Sequence, residues 1–261
     1  STINTTNTGT HNLGFGVNTL SSASLTTGHQ NIAIGVNNLS SLTTGYQNTA
    51  VGGQAGVALT TGFWNTLSGV VSGYGLTTGS ANTAYGYQSL YQATSSTYNT
   101  AIGMSAMGGY GNAAGHTGSL NTALGAYSLY SNSLGSSNIA IGASAGGGHA
   151  PLYGNTTGSN NIAMGYQALT QNTTGSSNVS IGNVSGYAST GDFNTFVGVY
   201  SGYTNSTGAG NAMFGYAADV TSAGLNYSTA IGYNAKVACT NCIVLGAATG
   251  NGAAHVGIGT T

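Results

Sequence analysis

A five-residue motif with the consensus Asn-Thr-Ala-Ile-Gly recurs along nearly the whole chain, and it restricts the fold more than any other feature. The glycine that closes the motif occurs fifteen times, at Gly16, Gly35, Gly52, Gly69, Gly86, Gly103, Gly125, Gly142, Gly165, Gly182, Gly198, Gly215, Gly232, Gly246 and Gly259. Eight of the fourteen intervals between these glycines are 17 residues long. Such a fixed period is typical of tandem-repeat architectures, in which each repeat packs only on its neighbours.

The period and the apolar segments within it predict the fold class. Helical hairpin repeats need roughly 33 residues or more, whereas the apolar segments here are four or five residues long and end at glycine, as short strands do. We predict an all-β parallel β-solenoid, or β-roll, of about fifteen coils of ~17 residues that forms a single domain over 1–261. Each coil would have a strand at Asn-Thr-Ala-Ile, a corner at Gly, a second strand and a return turn at Thr-Thr-Gly. The coils shorten after about residue 232, and loop insertions fall at 104–120 and 143–160.

Asparagine opens the motif in twelve of the fifteen copies. These residues are Asn12, Asn31, Asn48, Asn65, Asn82, Asn99, Asn121, Asn138, Asn161, Asn178, Asn194 and Asn211. Identical amides one strand spacing apart can hydrogen-bond to each other along a stack, so we predict a structural asparagine ladder. The alternative is that asparagine is used because it tolerates a left-handed turn conformation.

The strand pattern also bears on assembly. In segments such as 32–34 (Ile-Ala-Ile) all residues are apolar, whereas a strand with one solvated face alternates apolar and polar residues. We therefore expect the chain to pack on copies of itself, most simply around a threefold axis. The alternative is that small Ala and Thr residues are tolerated on an exposed face.

The near absence of charge excludes several functions. The 261 residues include one Lys or Arg and two acidic residues, and nucleic-acid binding depends on Lys and Arg that neutralise phosphates. No apolar run approaches the roughly 20 residues of a membrane-spanning helix. We expect neither nucleic acid as a partner nor insertion into a membrane.

Candidate catalytic and metal-binding groups are equally sparse. Glutamate is absent, and the two acidic residues, Asp192 and Asp219, fall at different places in the repeat, which argues against a pair of catalytic carboxylates. The five histidines share no metal-ligand spacing. We predict a protein that is not an enzyme and has no catalytic residues, metal site or cofactor.

Two further features remain open from sequence alone. Cys239 and Cys242 have the spacing of a redox motif but lack its βαβ context, so a local disulfide, two buried free thiols and a redox or metal role are alternatives. The insertions are candidates for recognition loops because binding residues often lie on loops of a rigid scaffold; neutral insertions are the alternative. The candidate recognition residues are Tyr110, His116, His149 and Tyr153.

The Asn-Thr-Ala-Ile-Gly signature resembles the repeats in head domains of trimeric autotransporter adhesins. Its closest local matches are 228–232 and 242–246, and the 17-residue version with Thr-Thr-Gly is similar to repeat regions of phage tail fibres and large bacterial surface proteins. The resemblance implies a left-handed, homotrimeric parallel β-roll.

Together these features predict an extracellular protein of a cell or virion surface. Its expected function is that of a non-catalytic structural fibre shaft or adhesin region that binds copies of itself and a host-surface receptor or glycan. One alternative is a subunit that stacks end to end into an extracellular filament; another is an ice-binding solenoid. Glycosylation is a further expectation, since Asn155, Asn172 and Asn205 begin N-glycan acceptor motifs and Ser/Thr are abundant.

Overall fold

The computed structural model describes residues 11–21, 25–109, 115–144 and 148–247. Over these residues the chain is an all-β parallel β-solenoid without helices, which confirms the predicted fold class. Its strands are β1 Leu13–Phe15, β2 Ile32–Ile34, β3 Thr49–Val51, β4 Thr66–Ser68, β5 Thr83–Tyr85, β6 Thr100–Ile102, β7 Thr122–Leu124, β8 Ile139–Ile141, β9 Ile162–Met164, β10 Val179–Ile181, β11 Thr195–Val197, β12 Ala212–Phe214, β13 Asp219–Val220, β14 Thr229–Ile231, β15 Lys236–Val237 and β16 Ile243–Leu245.

One parallel sheet of 14 strands runs along the molecule in the order of the repeats. Equivalent positions of the repeat lie over one another: Ile32 pairs with Thr49, and Ala33 pairs with Ala50. At about 4.8 Å between neighbouring strands, fourteen strands span roughly 62 Å. The fifteenth copy of the motif, which ends at Gly259, lies outside the described residues.

The strands of the long sheet are short because a glycine corner follows each of them. Gly86 has a φ of 131°, a conformation that L side chains rarely adopt, and a Cβ on it would lie 2.7 Å from the carbonyl oxygen of Gly103 in the next coil. The Gly86 amide donates to the carbonyl of Ser68 in the preceding coil at 2.8 Å. Glycine is therefore required both by the turn and by the close approach of the next coil.

The second side of the coil differs from the prediction. We expected a second strand after each glycine, but among the described residues only β13 and β15, near the C-terminal end, form one there. In the other coils this side is a turn with non-glycine residues at positive φ, such as Asn37 (55°) and Leu39 (47°). The turn directs Leu39 into the core, where it is fully buried, and this packing offsets the cost of its left-handed backbone.

The core is a narrow channel filled by complementary side chains. The middle residue of each long-sheet strand is usually alanine, as at the buried Ala84, and the same core cluster includes leucines of the turns such as Leu90. Where the strand carries the larger Leu67, the turns of two coils carry Gly56 and Gly73, whose Cβ atoms would lie 2.8 Å and 2.9 Å from its methyl groups. The variation between Ala-Leu and Ala-Gly in the repeat thus keeps the core volume nearly constant.

No helix among the described residues is long and apolar enough to cross a membrane.

Candidate functional site: stacked side-chain columns and an exposed apolar face

The predicted asparagines form a hydrogen-bonded column inside the solenoid. The Oδ1 atom of Asn31 accepts from both the backbone amide (2.9 Å) and the Nδ2 atom (3.0 Å) of Asn48 in the next coil. The same Nδ2 donates to the carbonyl of Gly62 in the return turn at 2.9 Å. Each amide therefore ties two coils together and also closes its own coil.

The alternative explanation for the asparagines, a left-handed turn conformation, holds for a different residue of the repeat. The asparagines of the column do not have positive φ; the residue immediately before each of them does, for example Gln47 at 53° and Trp64 at 60°. The column position is buried, as Asn48 shows, and buried amides need complete hydrogen bonding. Asparagine is thus used for its side-chain hydrogen bonds.

A second column of buried asparagines lies beneath the return turn and was missed from sequence. Asn155 Nδ2 donates to Asn132 Oδ1 at 2.8 Å, and Asn172 Nδ2 donates to Asn155 Oδ1 at 3.0 Å. Each also donates to the carbonyl of the glycine three residues later. The signal in the sequence is the change from Leu-Thr-Thr-Gly in the N-terminal coils to Asn-Thr-Thr-Gly in later ones, as at Leu42 and Asn172.

This burial corrects the expectation of N-glycosylation. Asn155, Asn172 and Asn205 are each fully buried and donate their Nδ2 hydrogens to main-chain carbonyls. An N-glycan would have to be attached to that same nitrogen, so the folded coils leave no space for one at these positions. Exposed hydroxyl groups of the return turns, such as that of Thr174, remain the sites where O-glycans could be attached.

A disulfide replaces the asparagine column at the C-terminal end of the described chain. Cys242 occupies the asparagine position and Cys239 the position of the return-turn glycine, and the two are joined at 2.05 Å. Ser228 Oγ donates to the Cys239 carbonyl at 2.8 Å, where other coils use the asparagine Nδ2. The disulfide therefore closes the turn covalently where the amide network ends.

The chain's few charges serve structural contacts. Asp219 is buried on the second side of the coil, accepts the amides of Thr204 and Val220 at 2.9 Å each, and lies 3.5 Å from Lys236 Nζ. Asp192 accepts the Ser176 amide at 2.7 Å in a return turn. The two carboxylates thus occupy different sides of the coil. Among the described residues no group of three or more His, Cys, Asp or Glu could hold a metal ion.

The candidate recognition residues do not form one surface. Tyr110 lies outside the described residues. His116 is fully buried, its backbone forms a bridge to Ala93, and burial lowers its pKa to about 4, so its assignment as a recognition residue is wrong. His149 is exposed and hydrogen-bonded to Gln167. Tyr153 is half-buried against Tyr130, with ring centroids 5.1 Å apart.

Among the described residues, the long sheet presents an extended exposed face on the side away from the core. In each strand the first and third side chains point away from the core, as the exposure of Ile32 and Ile34 shows. The third-position residues of the fourteen strands are Phe15, Ile34, Val51, Ser68, Tyr85, Ile102, Leu124, Ile141, Met164, Ile181, Val197, Phe214, Ile231 and Leu245. All but the serine are apolar or aromatic, so a nearly continuous apolar column follows the length of the sheet; we call the first and third columns together the outward sheet face.

Aromatic rings form shorter stacks at the corners beside this face. His29, Tyr46 and Phe63 stack in consecutive coils with centroid separations of 5.1 Å and 4.8 Å. Tyr216 and Tyr233 stack at 5.2 Å. Because the coil spacing matches the separation preferred by stacked rings, such ladders stiffen the corners.

Comparison with protein-family models, with curated proteins and with solved structures finds no match. The β-solenoid architecture is therefore established by the stacking of the coils themselves, and the likeness to adhesin or tail-fibre repeats stays a resemblance of sequence.

Proposed function

We propose that the chain is a non-catalytic shaft or adhesive region of an extracellular surface or tail fibre, and that it works as a homotrimer. The observation that carries the proposal is the outward sheet face, whose third column is apolar or aromatic in every strand but one and keeps a constant register along the described solenoid. Contiguous apolar patches of this extent mark interaction sites on soluble proteins.

The dimensions of the outward sheet face suit association between folded chains. Fourteen strands extend it over roughly 62 Å, and two outward columns about 7 Å apart give it a width on the order of 12 Å with their side chains. The resulting area of about 700 Å² is close to the roughly 800 Å² that each partner buries in a specific interface.

A second copy of the chain is the partner that best fits this surface. An identical solenoid has the same coil spacing, so its side-chain columns stay in step with those of the first chain along the whole contact. The only charged residues, Asp192, Asp219 and Lys236, are absent from the first and third strand positions of the long sheet, so no buried charge opposes the contact. A threefold arrangement would bring three such faces together at one axis.

The proposal is tested by placing charges on the outward sheet face. We expect the purified chain to be a trimer by size-exclusion chromatography with light scattering and a discrete rod by electron microscopy. The double variant Ile141→Asp/Ile181→Asp should dissociate because it buries carboxylates in the interface. The matched control is Thr174→Asp, which adds a carboxylate at an exposed return turn and should leave the trimer intact.

Other results would redirect the interpretation. A chain that stays monomeric at every concentration would contradict self-association through the outward sheet face. Continuous fibres in the micrographs, unchanged in the Ile141→Asp/Ile181→Asp variant, would instead support end-to-end stacking of subunits into a filament.

A column of threonines gives one specific observation in favour of ice binding. The first outward position carries threonine in five consecutive strands, at Thr49, Thr66, Thr83, Thr100 and Thr122. A regular array of hydroxyl and methyl groups on a flat sheet is the surface that an ice-binding solenoid needs. The third column interrupts this surface with the strongly exposed ring of Tyr85, and absence of thermal hysteresis at millimolar protein would reject this function.

A further inference from the structure

Trp64 is the only tryptophan of the chain, and its indole ring is more than half exposed, at 53%. It occupies the left-handed position immediately before the asparagine column, with a φ of 60°. This position lies beside the outward sheet face and is distinct from its first and third columns. The equivalent residue of every other described coil has positive φ as well, so the feature that distinguishes Trp64 is its exposed indole ring.

Contacts from two coils hold the indole ring in one orientation. Its Nε1 donates to Gln47 Oε1 in the preceding coil at 2.6 Å. Its edge packs against Phe63 at 5.0 Å and 87°, and it meets Tyr46 at 6.4 Å and 84°. Tyr46 and Phe63 are themselves stacked within 3° of parallel. Because these contacts order the ring in advance, a ligand that covers it would lose little affinity to ordering.

The same column supplies a second exposed ring at a regular distance. Tyr98 lies two coils beyond Trp64, is 59% exposed and also has positive φ. Ala81 occupies the intervening coil, so no large side chain of the column separates the two rings. Two coil steps correspond to about 9.6 Å along the solenoid. The column therefore presents two aromatic surfaces in line with the long axis, spaced for an extended polymer.

The chemistry of this surface selects a neutral ligand. No charged residue lies anywhere between positions 1 and 191, so neither an anionic nor a cationic polymer is attracted electrostatically. Single-stranded nucleic acid also stacks on aromatic rings, but its binding requires Lys and Arg along the backbone. A sugar ring offers C–H groups that pack on an aromatic face and hydroxyl groups that accept hydrogen bonds, and the Gln47 amide NH₂ is a suitable donor.

We propose that Trp64, Gln47 and Tyr98 form a binding site for an extended, neutral glycan chain lying along the solenoid axis. The glycan site would be the adhesive part of the proposed fibre, and it rests on that proposed function. A single site of this size gives useful avidity only when several copies are displayed on one fibre. The fold supplies the spacing of the rings through the coil repeat, and the Gln47 amide fixes the position of one sugar.

The single tryptophan makes the site directly measurable. Titration with linear β-1,4-linked hexamers of glucose or of N-acetylglucosamine should shift the emission of Trp64 to shorter wavelength and reduce its quenching by acrylamide. By calorimetry, Trp64→Ala and Tyr98→Ala should each weaken binding at least tenfold, and Gln47→Ala should weaken it severalfold. The matched control is Phe193→Ala, which removes a 69% exposed ring from the same column position of a distant coil and should leave the affinity unchanged.

Light scattering on the same samples separates failure of the site from failure of the proposed function. Trimeric rods that bind neither hexamer at millimolar concentration would overturn the glycan site and leave the fibre proposal intact. A trimer in which acrylamide cannot reach Trp64 without ligand would also overturn it, since the ring would then be a contact between copies. Binding that survives Trp64→Ala and Tyr98→Ala would place the glycan elsewhere.

Discussion

The phenyl ring of Phe196 fills the space beside Gly202, where a Cβ atom would overlap the ring. The same ring reaches the preceding coil, where a Cβ on Gly186 would lie 2.5 Å from its Cδ2. Phe196 is the largest fully buried side chain among the described residues. One large side chain from the strand and two glycines from the turns therefore fill a space that alanine and leucine fill in other coils.

This relationship predicts strong coupling between the two positions. Phe196→Ala leaves a cavity and should lower the free energy of unfolding by about 3–5 kcal/mol. Gly202→Leu alone should destabilise the protein as well, because its side chain meets the ring and Gly202 has a φ of 63°. The double variant should be more stable than the sum of the single effects predicts, since leucine then occupies the vacated space from the repeat position that Leu90 holds in its own coil.

Chemical denaturation of the four proteins measures this coupling. The double variant will not recover fully because the space beside Gly186 stays empty. Strict additivity of the two single changes would mean that the positions do not share a packing space, and would contradict the compensation between strand and turn.

The asparagine column predicts that one amide in the middle of the solenoid has a large effect. Asn65 donates to Asn48 Oδ1 and to the Gly79 carbonyl, and its Oδ1 accepts the backbone amide and Nδ2 of Asn82. Asn65→Ala leaves several buried polar groups without partners, at about 1–3 kcal/mol each. We expect a loss of at least about 3 kcal/mol in denaturation experiments.

The matched control for Asn65→Ala is Asn37→Ala. Asn37 also accepts a hydrogen bond from an asparagine of the preceding coil, Asn18, but this bond is exposed to solvent. Loss of this bond should change the free energy of unfolding by less than about 1 kcal/mol, and the left-handed position accommodates alanine, as Ala217 does at the equivalent place in a later coil. Equal losses at Asn37 and Asn65 would show that burial of the column contributes little.

The periodicity was sufficient to predict the coil, the register and the asparagine column. Glycine marks the corners, and Asn31 and its equivalents recur at the same position before each strand, so stacking follows from the repeat alone. The buried residue three positions before the return-turn glycine changes from leucine in early coils (Leu42) to asparagine in later ones (Asn172). Because its residue type is not constant, the repeat consensus does not show that these positions are equivalent. The second buried column was missed for that reason.

Features that depend on contacts between coils were beyond prediction from sequence. A second strand was expected after each glycine, but in most described coils two left-handed residues turn the chain there. The Trp64 site could not be predicted either, because it depends on Gln47 in the preceding coil and on Tyr98 two coils away. His116 was predicted to lie in an exposed loop because it falls within an insertion of the repeat. In the structure its backbone pairs with Ala93, so the chain has rejoined the stacked coils at this residue.

The disulfide predicts that reduction acts locally. Cys239 and Cys242 occupy the glycine and asparagine positions of one return turn. Reduction should increase hydrogen exchange in β16 and its preceding turn while leaving β2 to β12 protected, because coils are stabilised by their neighbours only.

The informative variant for the disulfide restores the repeat. Cys239→Gly/Cys242→Asn replaces the covalent closure with the amide closure of other coils and should keep β16 protected in the presence of reductant. Cys239→Ser/Cys242→Ser is the control that lacks both closures and should lose protection. Loss of protection throughout the solenoid on reduction would contradict a local role.

His116 predicts a loss of stability in acid. Burial lowers the pKa of His116 from 6.5 to about 4, and a backbone interaction with Gly109 opposes this shift in part. The folded chain thus favours the neutral ring, whereas the unfolded chain binds a proton near pH 6.5. The neutral His116 ring therefore stabilises the fold fully above pH 6.5. As the pH falls from 6.5 toward 4, the unfolded chain takes up the proton first, and the free energy of unfolding decreases by roughly 3 kcal/mol in total.

Urea denaturation at pH 7.5 and pH 4.5 of the wild type and of His116→Gln measures this contribution. The variant keeps a neutral polar side chain and cannot take up the proton, so its stability should fall less between the two pH values. The remaining described histidines, His11, His29 and His149, are exposed or half-buried and contribute equally in both proteins. An identical pH dependence in the two proteins would mean that His116 is protonated without opening the coil, and would contradict its burial in the stack.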